Sequence, residues 1–216
     1  QAIGADYTFS DGHTQKAGCI GDIGTTSFFP SKNLGCYGDG GALFIRDARL
    51  AERARMIANH GQAIKYHHDI VGCNSRLDTL QAAILDVKLK YLDEYTAARN
   101  QVADRYDKEL ASVKGIILPQ RANDSTHVFH QYTIRVENHR RDELKDYLMQ
   151  QGIPSMIYYP IPLHLQKAYT KEGQGKGTFP VAEQLSEEVL SLPMHTEMKP
   201  EEQEYIIEKI HAFFNR

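Results

Sequence analysis

The chain has 216 residues, 41% hydrophobic and 25% charged, with a formal net charge of −3. That describes an ordinary globular chain, long enough for one large domain or two small ones. The slight negative charge and the scattered basic residues exclude nucleic acid as the expected partner, and no apolar run is long enough for a membrane helix.

In chain order, residues 18–29 read as strand material: Cys19-Ile20, a Gly-Asp turn, then Ile23 to Phe29, rich in β-branched and aromatic residues. Gly40 to Ile45 is a short apolar run behind a glycine loop, the pattern of a buried strand. A helix follows, with Asp47 as its cap, Leu50, Ala54, Ile57 and Ala58 on one face, and Gly61 at its end. Ser75 to Asp78 fits a capping box. Leu77, Leu80, Ile84, Val87 and Tyr91 then mark the apolar face of a long helix reaching about Leu110, read as a connection between two domains. Beyond Lys114 the character changes. Val128, Tyr132, Ile134 and Val136 alternate with polar residues as in a half-buried strand, and Arg141 to Met149 is helical and stops at Gly152. Ser155 to Tyr159 reads as a further strand, Val181 to Val189 as a short helix and Ser191 to Pro193 as an extended piece. The C-terminal helix opens near Pro200 and carries Ile206, Ile207, Ile210, Phe213 and Phe214 on one side. Gly173 to Gly177 reads as a loop. These expectations divide the chain into residues 1–112 and a small α+β domain over 113–216.

Chemistry concentrates at Thr26-Ser27-Phe28-Phe29-Pro30-Ser31-Lys32 and the following Gly35-Cys36-Tyr37-Gly38-Asp39-Gly40-Gly41. Read locally, Lys32 is either a covalent cofactor anchor, with Ser27 on a phosphate, or a surface lysine before a glycine-rich turn. His60, His67 and His68 suggest a metal cluster, but no carboxylate or cysteine completes a ligand set nearby, so no metal is expected. Cys19, Cys36 and Cys73 are odd in number and far apart. They fit neither a disulfide framework nor a zinc site, and free thiols point to a reducing cytoplasm.

Taken together, the motifs resemble the DegT/DnrJ/StrS family of sugar aminotransferases, pyridoxal 5'-phosphate (PLP) enzymes of the aspartate-aminotransferase fold. The resemblance runs nearly end to end. Gln1 to Ala5 resembles the tail of the family's D-x-A-Q-A-x-G-A segment. Gly21 to Gly24, Ser27-Phe28 and Lys32 match its lysine segment, and Gly38 to Gly41 its glycine loop. Asn59 to Gly61, Gly72 to Arg76, Gln81 to Ala83, Tyr159 to Gln166, Phe179 to Glu183 and Leu190 to Met194 follow in family order. The form of the lysine segment is closest to members that aminate C3 of a UDP-linked 3-keto sugar acid.

The resemblance implies fold type I of the PLP-dependent transferases: a partial large domain of mostly parallel sheet with helices, then a small α+β C-terminal domain. It implies Lys32 as the Schiff-base lysine, Ser27 on the cofactor phosphate, Gln1 on the ring oxygen, and Asn74 reaching the phosphate of the neighbouring subunit in a homodimer with shared active sites. Arg76, Tyr159 and His164 fall on the sugar-nucleotide side, with glutamate as the amino donor, in cell-surface polysaccharide sugar biosynthesis. Tyr158 stands where related sequences often have histidine. The alternatives are a 4-keto-sugar nucleotide aminotransferase; a PLP-dependent dehydratase of the same family, against which Lys32 argues; and an inactive structural fragment. The family's ring-nitrogen aspartate falls three residues before Gln1, so the chain reads as the C-terminal part of a longer enzyme.

Overall fold

The computed structural model describes residues 1–171 and 173–215. They form two compact units, residues 1–97 with 121–130, and residues 98–120 with 131–216.

In the first unit, β1 (Asp6–Thr8) and β2 (Thr14–Lys16) form a hairpin. The Asp11-Gly12 turn closes it, with Gly12 at φ 87° donating to the Phe9 carbonyl at 2.8 Å. Strand β3 (Ile23–Ser27) pairs antiparallel with β4 (Gly41–Ile45). Helix α1 (Ala48–Ala58) starts where Asp47 Oδ1 accepts from the Leu50 N–H at 2.9 Å, and ends where the Gly61 N–H reaches back to Met56. A second hairpin, β5 (Gln62–Ile64) and β6 (His67–His68), precedes α2 (Thr79–Leu89) and α3 (Leu92–Leu110). The small core beneath β3 and β4 joins Phe28, Leu34, Cys36, Leu85 and Leu92, with Ile3, Ala42 and Leu77 packed against it.

The second unit is built on the antiparallel sheet β7 (Ile116–Ile117), β8 (Tyr132–Val136) and β9 (Val189–Leu192), with β8 central. Tyr132, Ile134 and Val136 are buried and alternate with half-buried Thr133 and Arg135, the period-2 signature of a strand with one face in the core. Helices α4 (Arg141–Gln150), α5 (Pro180–Glu188) and α6 (Pro200–Phe214) complete the unit. Leu144 and Leu148 of α4 and Ile206, Ile207, Ile210 and Phe213 of α6 are buried, and the Tyr147 and Phe213 rings meet at 5.5 Å. Tyr106 and Leu110, on the part of α3 in this unit, are fully buried, and Tyr106 lies 5.0 Å from the Tyr132 ring.

Several expectations are corrected. All five strand pairings among the described residues are antiparallel, not mostly parallel. The chain turns back from β3 to β4 without a helix, and a parallel pair needs a crossover, usually helical. Cys19-Ile20 is a turn, because Gly18 sits at φ 91° and the Cys19 N–H bonds to the Lys16 carbonyl. Leu50 and Ile57 on α1 are exposed. Ser75 caps nothing: its N–H bonds to the Ala58 carbonyl and Asn74 bridges Asn59, which holds the chain extended until Thr79. The long helix breaks at Lys90, where the Tyr91 N–H makes a tighter bond to the Lys88 carbonyl. On α2, Leu85 is buried while Leu80 and Val87 are exposed. Of Ser155 to Tyr159 only Met156 pairs, with Ser191; Pro154 before it and Pro160 after it offer no N–H.

Candidate active site

Strand β3 ends at Ser27 and the chain enters a loop anchored at many points. The Phe28 N–H donates to the Gly40 carbonyl at 2.7 Å and the Cys36 N–H to the Phe28 carbonyl at 2.8 Å. Buried Cys36 adds Sγ contacts to the Phe28 and Gly38 carbonyls at 3.0 and 3.1 Å. Helix α2 reaches over twice: Gln81 Oε1 accepts from the Tyr37 N–H at 2.8 Å, and Lys88 Nζ donates to the Gly35 carbonyl at 2.7 Å. Phe28 and Leu34 insert into the core on either side of Lys32. Lys32 therefore projects from a rigid turn, and is itself half-buried.

Its amine lies 3.5 Å from His130 Nε2, a neighbour that local sequence pattern does not predict. The segment 121–130 runs beside β1, with the Thr8 N–H on the Asp124 carbonyl at 2.6 Å and the Thr126 N–H on the Asp6 carbonyl at 2.9 Å. His130 arrives half-buried beside Lys32, and buried Asn33 bridges to it. No spacing rule links residues 98 apart; the only available sign was an amide side chain directly after the lysine.

Ser27 Oγ accepts from the Phe29 N–H at 3.3 Å, which leaves its own proton free to donate. Gln1 is exposed. Asn74 and Arg76 are brought together, Arg76 Nε donating to Asn74 Oδ1 at 3.1 Å. They line a pocket of about 830 Å³ with Thr26, Gly40 and Arg55; among the described residues its lining does not include Lys32 or Ser27.

Tyr159 and His164 lie in the second unit. Tyr159 is exposed, its ring edge-on to Tyr158 at 5.6 Å. His164 is buried, its Nε2 2.9 Å from Glu183 Oε1 and its ring 4.9 Å from Phe179. Glu183 also accepts from the Gly177 N–H at 2.8 Å and the Phe179 N–H at 3.2 Å, so this pair fastens the loop before α5. The Gly177 N–H, followed by His164, holds the Glu183 carboxyl below its ordinary value.

The donor set fits PLP. The Lys32 amine is met by a ring nitrogen rather than a carboxylate, so a carbonyl can engage it. The free Ser27 proton suits a phosphate oxygen, which only accepts.

These features define a candidate site centred on Lys32. The chain matches the DegT/DnrJ/EryC1/StrS aminotransferase family over residues 1–211 and belongs to it. It is 46% identical to the UDP-2-acetamido-2-deoxy-3-oxo-D-glucuronate aminotransferase of Pseudomonas aeruginosa over 192 residues, 88% of this chain and 52% of the relative. It is 40% identical to the dTDP-3-amino-3,4,6-trideoxy-alpha-D-glucose transaminase of Streptomyces venezuelae over 216 residues, 100% of this chain and 55% of the relative. Among solved structures, S. venezuelae DesV in complex with a ketimine intermediate superposes at a TM-score of 0.90 with 41% identity, covering 99% of this chain and 56% of DesV. The chain thus spans about half the length of the curated relatives it matches, and has the aminotransferase fold of DesV over that half. Two other similar solved structures, NtdA of Bacillus subtilis and the putative sugar aminotransferase Spr1654 of Streptococcus pneumoniae, are of the PMP-bound and PLP forms. Among the described residues no helix is long and apolar enough to cross a membrane.

Proposed function

We propose that these residues serve a PLP-dependent aminotransferase acting on a nucleotide-linked keto sugar. The substrate class is UDP-2-acetamido-3-keto-glucuronate, with glutamate as amino donor, in the making of cell-surface polysaccharide sugars. The observation that carries the reading is the Lys32 turn: a half-buried primary amine, with no carboxylate paired to it among the described residues, on a loop fixed from both sides. The similarity to the P. aeruginosa enzyme favours the UDP-linked 3-keto sugar acid. The similarity to the S. venezuelae dTDP-sugar transaminase keeps a dTDP sugar as the second reading.

When bound, PLP supplies an electron sink for the pair left on a carbon that loses its proton. In this reading Lys32 contributes the amine that engages the cofactor aldehyde. Its Nζ then takes the proton from the donor's α-carbon and returns one to the sugar carbon. Ser27 donates to the phosphate from its own subunit. Asn74 does so for the partner subunit of a homodimer. Gln1 faces the ring oxygen. Arg76 offers a fork for the sugar carboxylate or diphosphate, and Tyr159 contacts the nucleotide sugar. His164 acts on the same side through the loop it fastens to Glu183. Residues 1–112 form the cofactor-binding portion and 113–216 the small domain.

Borohydride reduction of the PLP-treated protein, followed by peptide mapping, tests this directly. The pyridoxyl group is expected on Lys32, and Lys32→Ala is expected to abolish both the label and transamination. A label on another lysine overturns the assignment.

A further inference from the structure

The amine of Lys32 sits at the end of a hydrogen-bonded chain whose direction can be read atom by atom. The chain begins at the Val128 carbonyl, which can only accept. The Asn33 side-chain atom 2.8 Å from it is therefore the amide nitrogen, Nδ2. That fixes the other Asn33 atom, 3.3 Å from His130 Nδ1, as the carbonyl oxygen Oδ1. Oδ1 also can only accept, so the proton on the His130 ring belongs on Nδ1. A neutral imidazole carries one ring proton. His130 Nε2 is then an unprotonated acceptor, and it lies 3.5 Å from Lys32 Nζ.

Asn33 cannot flip without facing its carbonyl oxygen to that of Val128. It is buried, so no water compensates for the loss. The backbone beside His130 is unusual too. Phe129 sits at φ 40°, a left-handed conformation that a bulky residue adopts only under constraint. The constraints are visible: the Phe129 ring is buried, Arg121 stacks on it at 4.7 Å, and the Phe129 N–H donates to His127 Nδ1 at 2.9 Å. A strained, over-determined residue directly before a histidine that meets the site's lysine is an arrangement that places the ring.

We infer that His130 is a positioning residue for Lys32, locked by Asn33 with its Nε2 lone pair toward the amine. It rests on the proposed role of Lys32 as the group that engages the cofactor. The ring orients Nζ and gives it a fixed acceptor. When Lys32 sheds a proton to become the neutral nucleophile, the N–H bond on Nζ breaks and one forms on Nε2. The amine keeps its electron pair and the imidazole becomes imidazolium, its Nδ1–H still on Asn33. Asn33 and His130 thus act through Lys32 and touch neither cofactor nor sugar in this scheme.

The first test needs no cofactor. Long-range nitrogen–proton spectra of histidine-labelled protein near neutral pH should show His130 with its proton on Nδ1. Asn33→Ala should release that preference toward the Nε2–H form. A ring protonated on Nε2 in the unmodified protein overturns the inference, whatever the chain's activity. The second test follows the rate at which PLP is captured on Lys32, by reduction and mapping. His130→Ala should slow capture at least about tenfold, the scale of a lost hydrogen bond to a charged amine. His130→Gln, whose amide oxygen can stand in for Nε2 as a hydrogen-bond acceptor but cannot take the proton, should recover part of that loss. A ring that merely fills space predicts equal losses in both variants, and that result overturns the inference. If Lys32 is not labelled in the unmodified protein, the function proposed above fails, while the ring tautomer still decides the geometry.

Discussion

Gly35 closes the turn that presents Lys32, and Gly35→Ala should open it. A Cβ there would stand 2.4 Å from the Pro30 carbonyl oxygen, 2.8 Å from its carbon and 2.9 Å from the Phe29 oxygen. All three are backbone atoms, so no side chain can swing aside. Ordinary contact begins at 3.4 Å, and the turn must yield by about 1 Å. A movement of that size breaks the Lys32 N–H bond to the Phe29 carbonyl and the Cys36 N–H bond to the Phe28 carbonyl, both 2.8 Å. It also draws the Gly35 carbonyl off Lys88 Nζ. Two backbone bonds at about 1 kcal/mol each, with part of a charge-assisted one, place the loss at about 2–4 kcal/mol, in line with the cost of overpacking. Urea unfolding measures it, with Gly21→Ala as the control: nothing lies within 4 Å of that Cβ, and the change should be neutral or slightly stabilising. Capture of PLP on Lys32 should slow in the Gly35 variant alone. If the two variants share the wild-type midpoint and capture rate, the turn is not a rigid platform.

In the second unit, Tyr106→Phe removes the donation to the Pro193 carbonyl at 3.0 Å and should cost about 1 kcal/mol, the net worth of a part-buried hydrogen bond. Burial also pushes the Tyr106 phenol well above its ordinary 10.0. Wild-type stability should therefore be whole below pH 10 and fall above it, where only the unfolded phenol ionises, and an alkaline urea series on the Phe variant should lack that component. Glu183, held below its ordinary 4.5 chiefly by the Gly177 N–H, contributes stability that is complete above that value and is lost as pH falls through its lower folded value. Glu183→Gln should flatten the acid limb of protease resistance at the peptide bonds around Gly177 and Phe179; an unchanged limb would remove Glu183 as its cause. Mixing Lys32→Ala and Asn74→Ala proteins should restore part of the activity through one intact site per mixed dimer, and no recovery after proven subunit exchange would refute a shared site.

What the sequence made legible was local. Asp47 caps α1 as its spacing predicts, because a cap needs only the next three residues. Ile206, Ile207, Ile210 and Phe213 face the core because one helix repeat sets them there, and α4 packs against that face, with Tyr147 on Phe213. The errors arise where a contact from far along the chain outweighs local preference. Ser75 has the form of a helix cap, but its N–H is already committed to the end of α1. Leu80 and Val87 follow the helical period yet stay exposed, while Leu85 turns into the core beside Cys36.

The same distinction separates the two halves of the lysine site. Ser27 and Lys32 stand out in the sequence because one short loop carries both, and glycines around a lysine leave a pattern. The surroundings of the Lys32 amine are completed by residues 128–130, delivered by a segment that pairs along β1. Pairing of that kind depends on main-chain atoms common to every residue, so it leaves little trace in side-chain identity. Asn33 joins the two scales: adjacent to Lys32 in sequence, it spends both ends of its amide on the distant segment. An amide is the one side chain here that both donates to a carbonyl and accepts from an imidazole, and this requirement would make Asn33→Asp damaging despite equal size. Aspartate cannot donate to Val128, and its charge would draw a proton onto His130 and convert the acceptor facing Lys32 into a donor.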